Sequence, residues 1–144
     1  MPAPLNLIVI RRIMQSRDPS GLIFQVCRDL DVASLRALFI EVTRSWPHPM
    51  RHDECYTVGS FEDLEMQLDA ERAFMLVPNA ALLVLEQTEP SLRETALSLL
   101  AGIARRSGTT ETPPALVGLI PALRLVGGGS SWWEAFRTWY RLDV

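Results

Sequence analysis

The sequence predicts an all-α protein, built as a multi-helix antiparallel bundle or as an irregular stack of helical hairpins. Apolar residues recur every three to four positions along most of the chain, and most of these segments begin at a capping residue or a proline. The 144 residues are 48% hydrophobic and 22% charged, which is the composition of a folded globular chain with its own core. We therefore expect a single helical domain spanning residues 1–144.

The N-terminal part predicts two helices, preceded by a segment that fits either a helix or a strand. Residues 5–14 are rich in Leu, Ile and Val, so a strand is an alternative there. Asp18 and Pro19 have the residue types of an N-cap and a first helical position. Asp31 caps the next helix, which Pro47 ends. The expected core-facing residues of the two helices are Leu22, Ile23, Val26, Cys27, Leu30, Leu35, Leu38, Phe39, Val42 and Trp46.

The middle of the chain predicts a connection followed by an acidic helix. Residues 47–59 contain two prolines and a glycine, so we expect an irregular segment with at most a short helical turn. Ser60, with an acidic residue three positions later, resembles a capping box that starts a helix over residues 60–76. Pro78 then restarts the chain, and the apolar run at 80–85 fits a helix better than a strand in this context. The residues expected to face inward are Phe61, Leu64, Leu68 and Met75.

The C-terminal third contains the strongest helix signals. Glu89 and Pro90 open a helix that Gly108 ends, and Pro121 should kink the next helix or split it into two short pieces. The glycines at 127–129 break the chain again. The apolar face of the first of these helices consists of Leu92, Ala96, Leu99, Leu100 and Ile103.

A capping box predicts the start of the last helix. It combines Ser131 with Glu134. The aromatic residues that follow have the spacing of one buried stripe, which leaves Trp133 and Arg137 on other faces. The expected members of the stripe are Trp132, Phe136, Trp139 and Tyr140.

The composition excludes several classes of function. All 14 basic residues are Arg, so there is no lysine for a P-loop, a Schiff base or a kinase ion pair. The formal net charge of −3 gives no basic footprint for nucleic acid or for an anionic membrane surface. The apolar run at 5–10 is too short to span a bilayer and has no signal-peptide flanks. We therefore expect a cytoplasmic protein that binds neither nucleic acid nor a membrane.

The acidic residues are concentrated in one segment. Between Asp53 and Glu71 there are seven acids and no Arg, a charge of −7, which leaves the rest of the chain at +4 because ten acids there face 14 Arg. Such a segment is typical of a solvated helix face, and it can also attract a basic partner.

The residues with potential chemistry do not form a recognisable catalytic or metal-binding motif. His48, His52 and Cys55 lie within eight residues, but Pro49 interrupts the helical spacing and the usual second half of a zinc site is absent from the sequence. The glycines at 127–129 lack the lysine of a phosphate loop. We interpret both segments as connections, and we expect no enzymatic activity, no cofactor and no metal.

The C-terminal part resembles small helical immunity proteins of bacterial polymorphic-toxin and contact-dependent inhibition systems. The resemblance covers residues 90–142 and lies in the segments 96–107 (ALSLLAGIARRS), 109–116 (TTETPPAL) and 139–142 (WYRL), together with Trp133. It implies a cytoplasmic, non-enzymatic protein that blocks a cognate toxin domain. Many such toxins are nucleases with basic grooves. The resemblance assigns no role to any single residue.

These observations lead to a binding hypothesis with a named set of residues. An acidic face could occupy a basic toxin groove, because complementary charge accelerates encounter. The main alternative is a small helical chaperone or adaptor for a secreted effector, which would use an apolar groove and exposed leucines and would form a homodimer. The sequence leaves the oligomeric state open. The candidate partner-binding residues are Asp53, Glu54, Glu62, Asp63, Glu65, Asp69 and Trp133.

Overall fold

The computed structural model describes residues 18–44 and 54–143, with only the backbone described at Glu54. This part of the chain contains helices and no strands, so the predicted all-α class is confirmed there. Residues 5–14 and Trp46 lie outside it. Its helices are α1 (Ser20–Asp29), α2 (Val32–Thr43), α3 (Glu54–Gln67), α4 (Ala70–Glu86), α5 (Pro90–Arg106), α6 (Pro114–Val117), α7 (Ile120–Gly127) and α8 (Ser131–Trp139).

The central unit is the hairpin of α4 and α5, the helix pair with the most extensive contacts among those described. Only three residues connect the two helices, which makes them antiparallel neighbours. Buried side chains surround α5 on nearly all sides from residue 96 to 104. This hairpin is therefore the scaffold to which the other helices attach.

Contacts between side chains and backbone fix the directions of α2 and α3. Thr57 of α3 donates a hydrogen bond to the Val42 carbonyl oxygen at 2.7 Å, and the rings of Phe39 and Phe61 lie 6.4 Å apart, so α2 and α3 are antiparallel. Leu68, the residue that follows α3, accepts a hydrogen bond at its carbonyl oxygen from Arg106 of α5 at 2.8 Å. Because α3 approaches α5 in this way, one side of α3 faces the core and the other faces solvent.

The predicted N-terminal helices are confirmed over the described residues. Asp31 caps α2 by accepting a hydrogen bond from the Ser34 backbone N–H at 2.8 Å. The predicted N-cap of α1 is wrong by one residue: Pro19 occupies that position, and Asp18 before it accepts a hydrogen bond from the Ser20 N–H at 3.0 Å. The predicted stripe, as far as it is described, is buried or packs against the core.

The predicted start of the acidic helix is wrong. Residues 54–59 are helical and belong to α3, so Ser60 lies inside the helix instead of capping it. Its hydroxyl donates a hydrogen bond to the carbonyl oxygen of Tyr56, four residues earlier in the same helix, at 2.7 Å. Two of its neighbours in sequence, Phe61 and Leu64, are buried as predicted.

The predicted end of that helix and the restart at Pro78 are also wrong. The break comes at Leu68, and Asp69 caps α4 by accepting a hydrogen bond from the Arg72 N–H at 2.7 Å. Pro78 lies within α4, with Val77 and Ala80 fully buried on either side. Burial of this apolar face outweighs the hydrogen bond that the proline cannot donate. Met75, expected to face inward, is 54% exposed.

The C-terminal predictions hold for α5 to α7. Glu89 accepts a hydrogen bond from the Leu92 N–H at 2.9 Å, and Gly108 follows the helix with a φ of +70°. Such a left-handed conformation favours glycine. Pro121 lies in the first turn of α7, which is separate from α6 as predicted.

The predicted register of α8 is wrong by one residue. Ser130, not Ser131, is the N-cap, and its hydroxyl accepts a hydrogen bond from the Trp132 N–H at 3.1 Å. Trp133 is 3% exposed, whereas Trp132, expected in the core, is 38% exposed. The core-facing residues of α8 and its C-cap are Trp133, Phe136 and Tyr140. No helix in the described ranges is long and apolar enough to cross a membrane.

Candidate functional site

The outward side of α3 is the strongest candidate for a binding surface. Glu62 and Asp63 are exposed there, between two exposed apolar side chains, Val58 (53%) and Met66 (76%). Residues 58, 62 and 66 follow one another at four-residue spacing and therefore share a face of the helix. We call Val58, Glu62, Asp63 and Met66 the α3 outer face.

The two acids of the α3 outer face are unpaired within the described part of the chain. None of the salt bridges among described residues includes Glu62 or Asp63. Other acids are paired: Asp69 with Arg72 at 3.3 Å, and Glu86 with Arg36, whose Nε lies 2.8 Å from a carboxylate oxygen. The charges of Glu62 and Asp63 thus remain available to an external cation.

The structure separates the predicted partner-binding acids into different environments. Glu65 is half-buried and points towards α5, and Asp69 is occupied as the cap of α4. Asp53 and the side chain of Glu54 lie outside the described residues. Of the four predicted acids whose side chains are described, Glu62 and Asp63 lie on the exposed side of α3.

Glycine at position 102 explains how Glu65 fits against α5. A Cβ atom at residue 102 would collide with the carboxylate of Glu65, so only glycine leaves room for this close approach. Burial is the main cause that raises the pKa of the Glu65 carboxyl, and the negative charge of Glu62 adds to the rise. The positive charges of Arg105 and, less strongly, Arg106 oppose it. Glu65 therefore belongs to the contact between α3 and α5 and not to an exposed acidic surface.

Arg106 connects α5 to the end of the acidic helix. Its Nε donates to the carbonyl oxygen of Leu68 at 2.8 Å and thus stabilises the C-terminal end of α3. Arg105 and Arg106 lie in the last turn of α5, where their charges also complement the dipole of their own helix. Nothing in the sequence pattern indicates that Arg106 also binds a second helix 38 residues away.

We expect Glu65→Gln to raise the melting temperature at pH 7. Because the folded chain raises the pKa of this carboxyl above 4.5, the folded state binds the proton more tightly than the unfolded state. The protonated carboxyl therefore contributes stability that is fully present below its ordinary pKa and is lost as the pH rises through the folded-state pKa. Gln cannot ionise and keeps this contribution at pH 7. At about pH 3 the carboxyl of the original protein is also neutral, so the difference in melting temperature should disappear.

Thermal unfolding at both pH values checks this prediction, with the exposed Glu111→Gln as the matched control, because the charge of Glu111 does not act on Glu65. A lower melting temperature for Glu65→Gln at pH 7 would mean that attraction to Arg105 and Arg106 outweighs the cost of burial.

Trp133 is not accessible as a partner-binding residue in this structure. Its ring is stacked on Phe136 with 5.8 Å between ring centroids, and its Cβ approaches residue 127, where glycine leaves space. The sequence placed Trp133 on a separate face because the spacings 132–136–139 and 133–136–140 both fit a helix. The exposed aromatic residue of this pair is Trp132.

Metal-ligating side chains do not come together in the described ranges. No group of three His, Cys, Asp or Glu residues in residues 18–44 and 54–143 could hold a metal ion. Cys55 is exposed in the first turn of α3, and His48 and His52 lie outside those ranges. Cys27 is partly buried, and burial raises the pKa of its thiol, which makes it less reactive.

Val58 and Met66 were not predicted from the sequence as members of the candidate site. Their positions follow only once α3 is known to begin at Glu54, because the longer helix places both on the same side as Glu62.

No protein-family model, curated protein or solved structure matches this chain.

Proposed function

We propose that this chain is a cytoplasmic, non-enzymatic immunity protein that binds and neutralises a cognate bacterial toxin domain through the α3 outer face. The observation that carries the proposal is the pair of unpaired acids, Glu62 and Asp63, between the exposed side chains of Val58 and Met66. Exposed apolar groups next to charges of one sign are typical of protein-binding surfaces.

The two components of this surface have different roles in binding. The acids attract a basic partner over distance and select against acidic ones, and they resemble the phosphates that a nuclease groove binds. Val58 and Met66 lose contact with water in the complex, and the flexible Met66 side chain adapts to the shape of the partner.

The resemblance to immunity proteins supports the same proposal through another part of the chain. It covers residues 90–142, which form α5 to α8. The first of these helices, α5, contacts the acidic helix at Gly102, which lies against Glu65, and through Arg106, which binds the Leu68 carbonyl oxygen. The resemblance thus concerns the scaffold, and the proposed contacts lie on the helix that the scaffold supports.

The second candidate is a chaperone or adaptor for a secreted effector. It is favoured by exposed apolar residues elsewhere, above all Leu125, which is 86% exposed in α7, and Val117, which is 57% exposed near it in sequence. An adaptor of this kind would bind an apolar segment, and its binding would not weaken with salt.

Co-purification from the native host tests the proposal. A tagged copy of the chain is isolated, and bound proteins are identified by mass spectrometry. Recovery of a toxin's C-terminal fragment, released by high salt, is expected for an immunity protein. Recovery of an intact secreted effector, or of this chain alone, would contradict the proposal.

A further inference from the structure

A groove of about 620 Å³ lies between the C-terminal end of α5, the segment that follows it, and α8. It is separate from the α3 outer face, since none of the residues of that face lines it. Its volume lies in the range of sites that hold a small ligand or a few residues of a peptide. The lining residues that matter here are Arg105, Thr110, Glu134, Thr138, Trp139 and Arg141.

The unpaired charges in the groove are positive. No salt bridge within 4.0 Å joins Arg105 or Arg141 to another residue of the described ranges, and the charge of Arg105 acts on Glu65 only from beyond that distance. The acidic residue of the lining, Glu134, is paired with Arg137 at 2.7 Å. The groove therefore presents two guanidinium groups and no free carboxylate from these lining residues. Its charge is opposite to that of the α3 outer face.

Arg141 occupies a backbone position that favours glycine. Its φ is +56°, and it follows the C-cap of α8 in a helix-ending motif. In this motif the Leu142 N–H donates to the Arg137 carbonyl oxygen at 2.9 Å, and the Arg141 N–H donates to that of Thr138 at 3.1 Å. A side chain at such a position strains the backbone.

Packing does not compensate for that strain at Arg141. The other non-glycine residue with positive φ in the described ranges is Leu30, at +52°, whose side chain packs against the core. The side chain of Arg141 is exposed and has no hydrogen-bonding partner among described residues. A binding role for the guanidinium group accounts for an arginine at a position where glycine would be more stable.

The rest of the lining suits an extended ligand. Trp139 is held in place because its indole N–H donates to the Thr109 carbonyl oxygen at 2.9 Å. A fixed aromatic ring provides contact area without loss of side-chain entropy on binding. Thr110 and Thr138 add exposed hydroxyl groups, which can donate to or accept from a peptide backbone.

We propose that this groove binds an acidic peptide segment, with Arg105 and Arg141 pairing with its carboxylates and Trp139 contacting its backbone or side chains. Arginine forks match planar carboxylates with two parallel hydrogen bonds each. A nucleic acid is disfavoured because the chain as a whole carries a charge of −3. The site goes beyond the proposed function, which concerns a basic partner at α3.

Binding of fluorescently labelled hexaglutamate to the full chain tests the proposal, with labelled hexalysine and inorganic phosphate as the other probes. We expect hexaglutamate to bind at concentrations below about 1 mM, and to bind more weakly as salt is added. Arg105→Gln and Arg141→Gln should each weaken binding roughly tenfold. The matched control is Arg124→Gln, which removes an exposed arginine of α7 that does not line the groove.

Arg141→Gly separates a binding role from a structural one. It should raise the melting temperature by removing the strain and should still lose binding. The proposal is overturned if hexaglutamate does not bind, if the two groove variants bind it as well as Arg124→Gln does, or if phosphate displaces it at equal concentration. These measurements use no toxin, so a failure to bind hexaglutamate leaves the proposed toxin binding at α3 untouched. A failure to recover a toxin by co-purification likewise leaves the peptide site in the groove untouched.

Discussion

Trp133→Ala is expected to lower the free energy of unfolding by about 3–5 kcal/mol, the usual cost of truncating a buried tryptophan. The Trp133 side chain is 3% exposed and stacks on Phe136, which in turn meets Tyr140 edge-on at 5.1 Å between ring centroids. Removing the indole leaves a cavity in the core, because Trp133 belongs to the core cluster and α8 packs against α5 and α7. Urea denaturation followed by circular dichroism measures the loss.

The neighbouring residue provides the control for this experiment. Trp132 is 38% exposed, so Trp132→Ala should cost less than about 1 kcal/mol. Equal losses for the two variants would contradict the register of α8, and a larger loss for Trp132 would restore the register that the sequence predicts. The comparison also decides whether Trp133 is available to a partner, since a residue in the core is not.

Signals that act within a few residues were predicted correctly. The caps at Asp31 and Glu89 each accept a backbone hydrogen bond from a residue three positions later. Such bonds depend on local sequence alone. The division of the chain at Pro121 likewise follows from the missing donor of proline. For this reason the sequence predicted the starts of α2 and α5.

Features that depend on contacts between helices were not predicted. Pro78 lies inside α4 because the residues beside it are buried against other helices, which local rules do not register. In the same way, the half-burial of Glu65 depends on Gly102, which is 37 positions away. The sequence therefore located the acidic helix but could not distinguish its outward acids from those that pack or cap.

Reversing the two outward acids, as Glu62→Arg with Asp63→Arg, is expected to weaken binding to a cognate toxin domain by about 100-fold, or about 2.7 kcal/mol. Both carboxylates are exposed and lack a salt bridge among described residues, so their loss removes attraction to the partner without breaking a described ion pair. The added arginines also repel a basic groove. Surface plasmon resonance at two salt concentrations measures the change, most of which should lie in a slower association rate at low salt.

The control is the double variant Glu71→Arg with Glu111→Arg, which makes the same change in net charge at two other exposed acids. It should leave the affinity within about threefold of the original protein, because charges outside the contact act only through screened long-range attraction. Glu65, Asp69 and Glu89 are unsuitable for this purpose, since Glu65 packs against α5 and the other two cap helices. If both double variants weaken binding equally, total charge and not the α3 outer face determines the affinity, and the toxin-binding site must then be sought elsewhere on the chain.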